Sequence, residues 1–173
     1  MLAQTSGRSN IYDEGVFKIL MEYEVARSQR YKSPLSLLRI ALVLNKPSRG
    51  EAENAPLVLA AMLNARLRSA DIPAKIGDEF TVLLPNTDEI GARVVCERFL
   101  RITPGTHTTP LGFSSRVAVC IGLASQRGGP NLNVEQLIRE SAEALKIARA
   151  RGPQNYHVYS DTITRNNKPA TAQ

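Results

Sequence analysis

The chain has 173 residues, 43% of them hydrophobic and 22% charged, which suits one globular domain with an aliphatic core and excludes a disordered, fibrous or disulfide-stapled chain. A formal net charge of +6 favours anionic partners and says nothing about fold. No apolar run approaches the ~20 residues of a bilayer span, and the start lacks the basic, apolar and small-residue segments of a signal peptide, so a cytoplasmic domain without membrane insertion is expected.

Residues 1–10 and 161–173 are polar and are expected as flexible tails around one domain over residues 11–160. Val16, Phe17, Ile19, Leu20, Tyr23, Val25 and Ala26 recur at helical spacing, which predicts a helix ended by Tyr31-Lys-Ser-Pro34. The run from Leu35 to Leu44 is apolar almost throughout and predicts a strand covered on both faces. A polar loop is expected over Asn45 to Asn54. Ala55-Pro56 then opens a helix with Leu57, Leu59, Met62, Leu63 and Leu67 inward, ending near Asp71.

Strands are expected around Ile72–Ile76 and Glu79–Pro85, with Gly77-Asp78 as a two-residue hairpin turn. Thr87 is the expected N-cap of the next helix, which turns Ala92, Val95, Cys96, Phe99 and Leu100 inward. A loop over Thr103–Gly112 and one core strand over Ser115–Ala124 follow. Asn133-Val-Glu-Gln starts the last long helix, Gly152-Pro153 ends it, and Tyr156–Tyr159 closes the domain as a strand. Cys96 and Cys120 lie in apolar runs and read as buried free thiols. The order, a helix and then β-α-β-β-α-β-α-β, predicts an α/β (α+β) domain with a mixed antiparallel sheet of about five strands flanked by helices.

Gly77-Asp78-Glu79-Phe80-Thr-Val-Leu-Leu-Pro85, together with Pro34-Leu-Ser-Leu-Leu, Val119-Cys-Ile-Gly122 and Ala142-Glu-Ala-Leu-Lys-Ile-Ala-Arg-Ala-Arg-Gly152, resembles the GGDEF family of diguanylate cyclases over about residues 12 to 159. The resemblance implies the palm-like fold of nucleotidyl cyclases. Family members condense two GTP into cyclic di-GMP on a magnesium site whose Asp-x-Asp here aligns with Ala41 and Val43, and a methyl group cannot ligate magnesium. The family's first glycine falls on Ile76, its guanine-binding carboxylate on Asn54, and its phosphate-binding lysine on Arg149. Gly77, Asp78, Glu79, Phe80 and Ala41 thus form a vestigial active site. The resemblance then implies an inactive cyclase with no cofactor, no magnesium and no metal ligands.

A second family site is an Arg-x-x-Asp shortly before the signature, matched by Arg68 and Asp71, with a further arginine that falls on Arg98. The resemblance implies a cyclic di-GMP site there: the arginine fork takes guanine O6 and N7, and the carboxylate accepts from N1 and N2. The expected function is a cyclic di-GMP receptor that relays to a protein partner or to other domains of a longer chain. A homodimer, including one bridged by ligand, is compatible with this; a nucleic-acid partner is not expected. Two alternatives stay open. One is a nucleotide-free interaction or dimerisation module, marked by an ion-paired Arg68 beside an apolar patch. The other is residual cyclase or GTP binding.

Overall fold

The computed structural model describes residues 10–166, and the outer parts of both expected tails lie outside them. Helix α1 (Glu14–Tyr31) starts where the Asp13 side chain accepts from the Val16 amide and ends at Lys32, whose φ is +54°. Only the stripe Phe17, Met21, Val25 and Ser28 is buried. Val16, Ile19 and Tyr23, expected inward, are exposed: the apolar positions span more than one face of the helix, and the sheet covers only the i, i+4 stripe.

Strand β1 (Leu35–Leu42) is covered on both faces as expected. Helix α2 (Arg49–Arg66) begins six residues before the expected Ala55. Its signal is the capping box: the Ser48 hydroxyl accepts from the Glu51 amide while Glu51 accepts from the Ser48 amide. Pro56 therefore lies inside the helix rather than at its start and forfeits one backbone bond. Leu57, expected inward, is exposed, and Val58 takes its place in the core.

Strands β2 (Ile72–Ile76) and β3 (Glu79–Pro85) form the expected hairpin, with Ile76 paired to Glu79 and Gly77 at φ +59°. Helix α3 (Glu89–Ile102) is capped by Asp88, not Thr87: the Asp88 carboxylate accepts from the Gly91 amide. The segment expected as a loop contains β4 (Gly105–Thr108). The single strand expected over Ser115–Ala124 divides into β5 (Ser114–Val117), which pairs with β4, and β6 (Val119–Gln126), which joins the main sheet. Helix α4 (Val134–Ala150) and strand β7 (Asn155–Val158) follow as expected. A last helix, α5 (Tyr159–Asn166), starts on the residue expected to end the closing strand and runs into residues expected as tail.

The main sheet has the order β2-β3-β1-β6-β7, antiparallel except for the parallel β6–β7 pair. Because side chains alternate along a strand, Leu38, Ile40, Val82 and Ile121 point to one face, where Val58, Leu59 and Leu63 of α2 and Val95, Cys96 and Phe99 of α3 cover them. Leu35, Leu37, Leu83 and Ala124 point to the other, beneath Phe17, Met21 and Val25 of α1 and Leu137 of α4. At Gly122 of β6, a Cβ would lie 2.2 Å from the Leu145 amide nitrogen and 2.4 Å from the Ser141 carbonyl oxygen. Helix α4 thus rests backbone to backbone on the sheet. The β4–β5 hairpin docks on α2, where Arg116 donates to both carboxylate oxygens of Glu51 and the Ser115 hydroxyl donates to the Glu51 carbonyl. No described helix is long and apolar enough to cross a membrane.

Candidate functional site

The two sites read from the sequence lie near opposite ends of β3. At its start, Glu79 stands opposite Ala41 in the β1–β3 ladder. Ala41 is buried against Cys120, Leu145 and Ala148. The Glu79 carboxylate is held on both oxygens. Arg39 of β1 donates to Oε2 through Nε at 3.0 Å and Nη2 at 2.7 Å, and Arg149 of α4 donates to Oε1 at 3.1 Å. A cavity of about 180 Å³ adjoins this cluster, lined by Arg39, Glu79, Ala142, Leu145, Lys146 and Arg149.

The donor set fits magnesium poorly. A hard cation needs several free oxygen ligands, whereas here a methyl stands opposite Glu79 and two guanidinium groups already occupy its carboxylate. Among the described residues no group of three or more His, Cys, Asp or Glu side chains is placed to hold a metal ion. Asp78 lies exposed on the turn and Phe80 is fully buried. Asn54 is engaged elsewhere: its amide donates to the Ser114 carbonyl at 3.1 Å and ties α2 to the outer hairpin. Cys120 is buried, its thiol raised by desolvation, and Cys96 is raised further for the same reason.

At the other end of β3, the chain leaving α2 turns so that the Asp71 side chain reaches back to Arg68. Its Oδ2 accepts from the Arg68 amide at 2.8 Å, and its Oδ1 accepts from Arg68 Nη2 at 3.1 Å. Thr87, freed from capping α3, accepts from Arg68 Nη2 at 2.7 Å and donates to the Pro85 carbonyl at 2.9 Å. The Asp71 side chain is 0% exposed and that of Arg68 55%. As folded, the Asp71 side chain is buried and both of its oxygens accept from Arg68. Arg68 keeps an exposed guanidinium, with Nη1 unengaged among the described hydrogen bonds.

Arg98 lies about 15 Å along α3 from the Asp88 cap. Its Nε is buried without a hydrogen-bond partner, and its guanidinium sits 5.9 Å from the Phe99 ring centroid. Among the described residues no hydrogen bond or ion pair joins it to Arg68 or Asp71. Arg93, about 140° around the helix from Arg98, is bound to Glu89 and to Asp161 of α5. Arg98 therefore faces the flank away from α5.

Residues 55–155 match the protein family described as "Diguanylate cyclase, GGDEF domain". The chain belongs to the GGDEF family.

Solved structures with this fold include the Pseudomonas aeruginosa diguanylate cyclase SiaD in complex with its activator SiaC, at 19% identity and TM-score 0.73. The match covers 86% of this chain but only 58% of the SiaD chain. The GGDEF domain of P. aeruginosa TpbB (YfiN) matches at 16% identity and TM-score 0.72, over 91% of this chain and 96% of that one. The GGDEF domain of Caulobacter crescentus DgcB, solved in complex with c-di-GMP, matches at 13% identity and TM-score 0.67, over 92% and 94%. No curated protein sequence matches significantly.

Sequence reasoning missed Arg39, Lys146 and the Thr87 contact with Arg68. The signal for Arg39 was present, a single charge inside an otherwise apolar strand. Thr87 was concealed because it stands directly before Asp88 and both residue types cap helices, although aspartate is the better cap.

Proposed function

We propose that this GGDEF domain is a cyclic di-GMP receptor that makes no cyclic di-GMP itself and relays ligand binding to a protein partner. The observation that carries the reading is the fixed, half-exposed guanidinium of Arg68. Asp71 and Thr87 set its plane and leave donors facing solvent. The unengaged Nη1 group is a charged donor for the O6 or N7 acceptor of guanine, and orienting it beforehand lowers the entropy lost on binding. Arg98, with a buried donor lacking a partner, is assigned to a phosphate or a second guanine of the same ligand. The c-di-GMP complex of a GGDEF domain with the same fold supports the ligand class, and the SiaD complex with its activator supports a protein partner.

Loss of catalysis is the other half of the proposal. Two-metal phosphoryl chemistry needs carboxylates free to ligate, and Glu79 is bound by Arg39 and Arg149 opposite a methyl group. Calorimetry with cyclic di-GMP tests the receptor reading. The wild type should bind, and Arg68→Ala should weaken binding at least about tenfold, the scale of one charge-assisted contact. Unchanged affinity in that variant would sink the reading. Incubation with GTP and magnesium, followed by chromatography, should give no cyclic di-GMP.

A second reading, a nucleotide-free interaction module, rests on Arg68 being ion-paired and on Ile90 and Val94, 74% and 55% exposed on α3. On that reading Arg68→Ala changes nothing, and Ile90→Glu abolishes partner binding.

A further inference from the structure

Helix α1 carries two apolar stripes, and the domain buries one of them. Phe17, Met21, Val25 and Ser28 are covered by the rest of the fold. Val16, Ile19, Tyr23 and Ala26 are exposed, Ile19 by 68% and Tyr23 by 67%. Projected at about 100° per residue, the second stripe lies about 180° around the helix from the first and points away from the sheet. Single apolar residues scattered on a surface need no explanation, but four in one line mark an interaction face.

The steps between these four residues are three, four and three, the a-d-a-d spacing of a two-helix seam. In the same frame Phe17, Met21, Val25 and Ser28 fall on b, c and f positions, so the seam and the domain contact use different sides of one helix. Arg30 stands at the next a position and ends the apolar run, with its guanidinium 5.4 Å from the centroid of the Tyr31 ring. Tyr23, Ala26, Arg27 and Arg30 also border an open groove of about 830 Å³ that reaches Pro85 and Asn86, so this end of the face is concave and can receive side chains from a partner.

The residues flanking the seam say what the partner is. Glu22 occupies a g position and Arg27 the e position five residues later, the two places that face each other across a parallel in-register pair. Among the described residues Glu22 has no ion pair, and Arg27 reaches only Glu24, at 3.6 Å. Two copies of α1 laid parallel would bring Glu22 of each against Arg27 of the other. An antiparallel pair sets g against g and e against e, which opposes like charges. The stripe therefore complements itself, in one orientation.

We infer that the exposed face of α1 is a homodimer interface, a short parallel two-helix seam built from Val16, Ile19, Tyr23 and Ala26 and oriented by Glu22 and Arg27. A free helix of this length is marginal in water, but here the domain already holds it folded, so pairing carries no cost of helix formation. The helix is about 27 Å long and its contact strip about 10 Å wide, which places the interface in the small, reversible class. A dissociation constant of about 10–100 μM is expected. The inference does not rest on the cyclic di-GMP reading, since the seam contains none of Arg68, Asp71 and Arg98.

Sedimentation equilibrium of the full chain without nucleotide reads the association. The wild type should pass from monomer to dimer as its concentration rises through that range, and Arg68→Ala should do the same, which separates this outcome from failure of the receptor reading. Ile19→Glu, at an exposed position, should keep the wild-type melting curve and weaken dimerisation at least about tenfold by placing a charge in the seam. Glu22→Arg and Arg27→Glu should each weaken it about threefold, and the double variant should recover the wild-type constant. Mild oxidation of Ile19→Cys should give a covalent dimer, because matching d positions face each other in a parallel pair. Cys96 and Cys120 are buried, so the wild type should stay uncrosslinked. A chain that remains monomeric, a dimer unaffected by Ile19→Glu, or a charge swap that fails to restore association would each overturn the inference.

Discussion

Ala41 and Glu79 are direct partners in the β1–β3 ladder, and the space beside the Ala41 methyl is filled by Leu145 and Ala148 of α4. A carboxylate put back at position 41 would enter a packed apolar contact next to Glu79. Ala41→Asp should therefore cost about 2–5 kcal/mol of stability, by burial of a poorly paired charge and overpacking. It should yield no cyclic di-GMP from GTP and magnesium. Thermal melting and product chromatography check the two halves of the expectation.

Asp71 and Thr87 both accept from Nη2 of Arg68. Asp71→Asn keeps the shape but removes the charge that holds the guanidinium, and should cost about 1–3 kcal/mol in urea unfolding. Thr87→Val should cost about 1 kcal/mol and loosen Arg68 without touching Asp71. Both should weaken cyclic di-GMP binding less than Arg68→Ala does, because neither removes the recognising guanidinium. A loss in Asp71→Asn as large as in Arg68→Ala, with stability unchanged, would instead place Asp71 against the ligand.

Arg98 separates stability from binding. Its Nε is a buried donor with no partner, and Met replaces its stem with an apolar chain of similar length. Arg98→Met should be as stable as the parent, or more stable by up to about 1 kcal/mol. Its cyclic di-GMP affinity should fall about tenfold, the scale of one lost charge-assisted contact. Denaturation and calorimetry on one preparation read both.

The β4–β5 hairpin should respond to acid. The Arg116 guanidinium, then the Ser48 backbone amide, hold Glu51 down at about 2, against about 4.3 for a free glutamate. A carboxylate depressed in the folded state stabilises it fully above the unfolded pKa, and that contribution disappears as pH falls through the folded value. Between about pH 4.3 and pH 2 the hairpin should loosen from α2, visible as faster amide exchange over residues 105–117. Glu51→Gln should show the loosened hairpin at neutral pH and little change in acid.

The central sheet was legible in the sequence because its strands are long, apolar and separated by strong turn signals. Leu35–Leu42 and the Gly77-Asp78 turn fall where pattern and glycine chemistry put them. The start of α2 was hidden by Pro56, which reads as a first-turn residue, although Ser48-x-x-Glu51 carries the true signal. The division at Ala118 was illegible for a different reason: an apolar run cannot tell which of two sheets its halves will join. At the candidate site, the resemblance to the family's motifs pointed to Arg68, Asp71 and Glu79. Sequence could not show that the Asp71 carboxylate turns inward, or that Arg39 of β1 and Arg149 of α4 meet on one oxyanion. Those facts depend on contacts between residues far apart in the chain or on a single rotamer.

The contact at Gly122 bears on how such a domain changes over generations. Since α4 meets β6 with no side chain between them at Gly122, the height of that part of the helix above the sheet is limited by main-chain contact. Drift can swap the chemical groups around the cavity, methyl for carboxylate or arginine for lysine, and their anchor points stay where they were. A new binding preference can arise there by single substitutions, each tried against an unmoved frame, provided that Gly122 itself stays bare.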